Sequence, residues 1–89
     1  MIRQKLIVTG NIADGGIRYF AQMGASSLKL TGLSKRGEAG AIHIEVQGKE
    51  DSIEKFIEKL KVGNGFFKVE NIEIETLDVI SDEKTFLIR

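Results

Sequence analysis

Leu6-Ile7-Val8-Thr9-Gly10-Asn11-Ile12-Ala13-Asp14-Gly15-Gly16-Ile17-Arg18 carries an apolar strand through a glycine-rich turn into a helix. Leu6-Ile7-Val8 reads as the strand and Gly10 opens the turn. Beyond it, Ile17, Phe20, Ala21, Gly24, Ala25 and Leu28 keep the i, i+3, i+4, i+7 spacing that gathers one buried helix face. A junction of this kind makes an anion pocket. The first N–H groups of a helix lack intrahelical partners and the helix dipole favours negative charge there, while Arg18 adds a fixed positive charge. Asp14 places a carboxylate in the same loop.

Working outward, the apolar period keeps switching between two and 3.6. A strand is expected around residues 28–34, a turn at 37–40, and a strand over 41–47. In that last strand Ile42, Ile44 and Val46 alternate with His43, Glu45 and Gln47. Residues 49–61 form the clearest helix, with Asp51 or Ser52 as its cap and Ile53, Phe56, Ile57 and Leu60 as its apolar stripe. Gly63-Asn64-Gly65 ends that helix. Residues 67–76 read as a strand with Ile72 and Ile74 inward against Glu73 and Glu75, and residues 85–89 as a short final strand. The first helix depends on packing, because Gly24 and Ser26-Ser27 cost it roughly 1 kcal/mol or more in propensity. The order βαββαβ predicts an α+β, ferredoxin-like sandwich: an antiparallel sheet with two helices on one face, plus a short C-terminal edge strand. It is expected to be a single domain over residues 1–89.

Composition narrows the function classes. Thirteen basic and thirteen acidic residues leave no net charge, which argues against nonspecific nucleic-acid binding. Lys35-Arg36 and Lys59-Lys61 read as solvated surface charge. No apolar run approaches the roughly 20 residues needed to cross a bilayer, so no membrane partner is expected. The first eight residues hold a strand instead of a signal-peptide core, and a cytoplasmic protein is expected. Zero cysteine excludes disulfides and thiolate chemistry.

The residues of the opening junction resemble the acylphosphatase signature G-x-V-Q-G-V-G-F-R, with Gly10, Ile12, Gly16 and Arg18 at matching positions. The correspondence continues without gaps. Ala25 falls at the family's helix alanine, Gly32 at the glycine opening the next strand, and Gln47-Gly48 at the Q-G ending the third strand. Gly63 falls at the glycine after the second helix, and Phe86-Leu87-Ile88-Arg89 at the C-terminal F-x-I-R. The resemblance implies hydrolysis of the mixed anhydride between a carboxylate and phosphate, with no metal and no cofactor. In the family, loop amides and the arginine hold the phosphoryl group, and an asparagine on the following strand orients the attacking water. Positioning and charge stabilisation carry nearly all of such catalysis. Carried onto this chain, Arg18 binds phosphate within the amides of Asn11, Ile12, Ala13, Asp14, Gly15, Gly16 and Ile17. The chain also departs from the pattern. Ala13 replaces Gln, Asp14 replaces Gly, Gly15 replaces Val, Ile17 replaces Phe, Leu33 replaces Trp, and Arg36 stands at the asparagine position.

Each candidate has two readings. Arg18 is a planar fork suited to phosphate, or a helix-start arginine paired with Asp14. Asp14 repels a bound phosphate, at about 4 kcal/mol for like charges at a protein surface, or serves as an Asx-turn or cap residue. Arg36 has donors only, so it cannot accept a hydrogen bond from water as asparagine's oxygen can. It offers a second positive charge to an anion, or it faces solvent. Ser34, two residues earlier on the same strand face, could compensate for the lost asparagine. His43 reads as a sheet-surface residue, Glu38, Glu45, Glu73 and Glu75 as solvated, and Phe66-Phe67 as packing. RNA-recognition domains of this topology need aromatic stacking residues on their central strands, and residues 6–8 and 41–47 contain none. The expected function is therefore that of an acylphosphatase-like protein with weakened or lost hydrolysis. The alternative is a noncatalytic anion-binding or protein-interaction module. Its ligand would be a small anion such as phosphate or an acyl phosphate. A monomer is expected, with a weak dimer as the alternative because only charges such as Lys5, Glu73 and Glu75 guard the strand edges.

Overall fold

The computed structural model describes residues 1–13 and 15–89. The first strand, β1 (Ile2–Asn11), is longer than its apolar triplet because it is paired on both sides. β3 (Ile42–Gly48) and β4 (Lys68–Leu77) flank it, each antiparallel. Leu6 lies opposite Ile44 and Ile74, and Val8 opposite Ile42 and Ile72. Partners in a ladder share a face, so this register collects the apolar side chains on one side of the sheet. α1 (Ile17–Ser27) and α2 (Glu50–Val62) cover that side and contribute Ile17, Ala21, Ala25, Ile53, Phe56 and Leu60 to one continuous core. β2 (Thr31–Arg36) pairs antiparallel with β3 and parallel with β5 (Phe86–Ile88), giving the sheet order β4-β1-β3-β2-β5. The fold is the ferredoxin-like α+β sandwich, with β5 as the C-terminal edge strand. No helix among the described residues is long and apolar enough to cross a membrane.

Local boundaries differ from the periodic pattern at four places. Residues 28–30 do not extend β2; they close α1, with Lys29 N–H donating to the carbonyl of Ser26 and Leu30 N–H to that of Ala25 at 2.8 Å. Lys29 adopts φ +59° there, where glycine is the usual choice. α2 begins after Lys49, which makes no side-chain cap. Asp51 instead joins Glu50 in the first turn, where carboxylates favour the helix dipole, so neither Asp51 nor Ser52 is the cap. Ile74 has the core-facing register of Leu6, yet it is 52% exposed because β4 is an edge strand. The Phe66-Phe67 pair divides: Phe67 is buried edge-on against Phe20, with ring centroids 5.2 Å apart, and Phe66 is exposed.

The opposite sheet face holds a charged network that the pattern does not reveal. Arg3 is 1% exposed. Its Nη2 and Nε donate to Glu45 Oε1 at 2.8 and 3.1 Å, and its Nη1 donates to Glu83 Oε1 at 2.7 Å and Gln47 Oε1 at 3.2 Å. Thr31 Oγ1 donates to the same Glu83 oxygen at 2.7 Å. Gln47 also exchanges two hydrogen bonds of 2.8 Å with the main chain of Ile80. These contacts strap residues 80–83 across β1, β2 and β3. Glu45, expected to be solvated, is therefore half of a largely buried ion pair.

Candidate functional site

Segment 12–16 joins β1 to α1, and segment 37–41 joins β2 to β3; together they wall one cleft of about 580 Å³. On the first wall, Ile12 and Ile17 are buried in the core, so their side chains anchor the loop and only their main chain is available to a ligand. Gly16 is the residue before the helix, with φ +69° and ψ +35°, a left-handed conformation that suits glycine. The first helical bond runs from Phe20 N–H to the Gly16 carbonyl at 2.9 Å. The N–H groups of Ile17, Arg18 and Tyr19 consequently have no acceptor within the helix. No acidic side chain occupies the first turn of α1. Ala13, Gly15 and Gly16 complete this wall. Asn11 does not: it is an exposed residue at the end of β1, opposite Lys68. The roles considered for Asp14 lie outside the described residues.

Arg18 stands at this helix start and lines the cleft, and its Nη1 donates to the main-chain oxygen of Arg89 at 3.1 Å. That bond ties the guanidinium to the chain just beyond β5. On the second wall, Arg36 is the last residue of β2 and exposed. Opposite Ile42, it shares the helix-covered face with Ser34 and Gly32 and so reaches the same cleft as Arg18. Arg36 forms no hydrogen bond or ion pair among the described residues. The turn behind it is closed by Gly37 N–H donating to the Ala41 carbonyl at 2.8 Å. His43 packs its ring on Gly37, where a Cβ would fall 2.5 Å from the imidazole; it supports the turn from the far side.

Two sequence expectations about this region change. Ser34 cannot stand in for a water-orienting group, because it is wholly buried and outside the cleft, with its Oγ lacking a partner among the described residues. Asn64, read only as part of a turn, buttresses the loop. Its Nδ2 donates to the Gly15 carbonyl at 3.0 Å while its Oδ1 accepts from Phe66 N–H at 2.9 Å. Asn64 is distant in sequence, so only the fold reveals this contact.

The cleft is rich in donors. Arg18, Arg36 and the free amides of the helix start all border it, and among the described lining residues Tyr19 has the one side-chain oxygen. Such a surface suits a phosphate or carboxylate. A larger hollow of about 1020 Å³ lies between α1 and α2, but Asp51, Glu54 and Glu58 line it with Lys55 and Lys59. Its mixed charges make it a poor anion site.

The acylphosphatase family model matches residues 4–88, and the chain belongs to that family. A Clostridium beijerinckii protein named acylphosphatase is 44% identical over 89 residues, covering 100% of this chain and 99% of its own. A Geobacillus kaustophilus acylphosphatase is 41% identical over 88 residues, covering 99% of this chain and 94% of its own. The crystal structure of acylphosphatase from Bacillus subtilis superposes with a TM-score of 0.92 at 32% identity, over 100% of this chain and 99% of that one.

Proposed function

We propose that this protein binds the phosphoryl group of an acyl phosphate, or a similar small anion, through Arg18 and the main-chain N–H groups of the loop and first turn of α1. We further infer that hydrolysis is weak or lost. Acylphosphatase relatives over the full chain support the substrate class. The observation that carries the second inference is Arg36 lining the cleft, the residue that the resemblance sets at the family's asparagine position. Water attacking phosphorus must be held by a hydrogen-bond acceptor that aims its lone pair at phosphorus, and a guanidinium has donors only. Losing one oriented transition-state contact costs roughly 10²–10³ in rate. The remaining cleft still holds anions, because binding needs only donors and positive charge.

The same reading makes the chain a cytoplasmic monomer that handles a free small anion and no nucleic acid, in keeping with its balanced charge of thirteen basic and thirteen acidic residues. Phosphate titration followed by amide NMR shifts tests the binding. Shifts concentrated in residues 11–18, absent in Arg18→Ala, are expected. No shifts at millimolar phosphate would sink the reading.

A further inference from the structure

We propose that the cleft takes a ligand with two anionic groups: a phosphoryl group at the α1 wall beside Arg18, and a second phosphoryl or carboxylate group at Arg36 on the β2 wall. This rests on the phosphoryl-binding reading above and names the ligand class more narrowly. One tetrahedral anion is already served by Arg18 and the N–H groups at the helix start. Arg36 comes from another element and brings a second fork of donors with no partner among the described residues. An apolar acyl group beside it would leave that charge unused.

Space and charge point the same way. A cleft of about 580 Å³ is within the range of sites that hold whole small molecules. Gly16 on one wall and Gly40 on the other both look onto open space, since a Cβ at either would meet no atom within 4 Å. The described residues lining the cleft carry two positive charges and no carboxylate. Two arginines that line one cleft place like charges on it, and a ligand with a negative group for each offsets both charges and gives each fork a partner.

The experiment compares three probes at equal ionic strength by amide NMR titration: orthophosphate, inorganic pyrophosphate and phosphonoacetate. The native chain should bind pyrophosphate at least about tenfold tighter than orthophosphate, the worth of one charge-assisted hydrogen bond. Pyrophosphate should also shift the amides of residues 36–40, which orthophosphate leaves unmoved. Phosphonoacetate distinguishes the second group. Binding as tight as pyrophosphate assigns a carboxylate-tolerant site, and binding at the orthophosphate level assigns a diphosphate. Arg36→Ala, an exposed strand-end change whose fold the same spectra verify, should remove the advantage of pyrophosphate over orthophosphate. Arg36→Lys should restore only part, because charge without the fork is insufficient. If orthophosphate binds and depends on Arg18, while pyrophosphate gains nothing or keeps its gain in Arg36→Ala, this inference falls and the proposed function stands. If neither anion binds, both fall.

Discussion

Replacing Arg3 by methionine keeps an aliphatic stem and removes the guanidinium. Four hydrogen bonds disappear, and Glu45 and Glu83 remain with side chains only 22% and 15% exposed. Breaking a buried ion pair from one side costs about 3–5 kcal/mol. Some water reaches both carboxylates, so the lower end applies, about 3 kcal/mol. For a domain of this size, that corresponds to a fall in Tm of roughly 12–24 °C. Urea denaturation followed by circular dichroism gives the free energy, and amide exchange in residues 78–85 reports whether the strap lifts. Adding Glu45→Gln and Glu83→Gln should recover part of the loss, because the unpaired charges cause much of it. Burial works against the Arg3 charge, and hydrogen bonds and charge from Glu83 and Glu45 outweigh it, raising the Arg3 pKa above its ordinary value. A raised pKa gives stabilisation that is complete below the unfolded value and lost only as pH rises through the folded one. Between about pH 7 and 10 the Arg3 contribution should therefore stay level. A loss below about 1 kcal/mol, with residues 78–85 still protected, would mean that the Arg3 ion pairs do not hold the strap.

Three other substitutions probe the sheet, the core and the loop buttress separately. Gly32→Ala puts a Cβ 1.8 Å from the Glu45 carbonyl oxygen at φ +145°, so β2 and β3 must part. A loss of about 3 kcal/mol or more, or failure to fold, is expected in chemical denaturation. Ser34→Ala removes a buried hydroxyl with no partner among the described residues and should raise stability by about 1 kcal/mol in the same assay. Asn64→Ala releases the Gly15 carbonyl, and phosphate affinity measured by NMR titration should fall by about threefold to tenfold while Tm changes little.

The element order was legible because the apolar period switches cleanly between strand and helix, and the placement of Arg18 and Arg36 in one cleft followed from the in-register resemblance. What escaped the sequence depends on distant chain or on unusual backbone. Arg3 alternates with Gln4 and Leu6 as a solvent-facing strand residue would, and its burial comes from Glu83, eighty positions later. Asn64 meets Gly15 across forty-nine positions. Lys29 in a left-handed conformation gives no glycine signal, so the end of α1 read as the start of a strand. Alternation placed Ile74 on the correct face, but alternation carries no information about which strand forms the edge.

Arg36 lines the cleft at the place where the family resemblance sets a water-orienting asparagine, and it has no acceptor to offer. Benzoyl phosphate hydrolysis by the native chain beside Arg36→Asn tests this most directly. Little turnover is expected in the native chain, with a gain of at least about tenfold in the variant that adding Arg18→Ala abolishes. A native chain that turns over as fast as Arg36→Asn or faster, with Arg18→Ala removing that activity, would contradict that reading of Arg36.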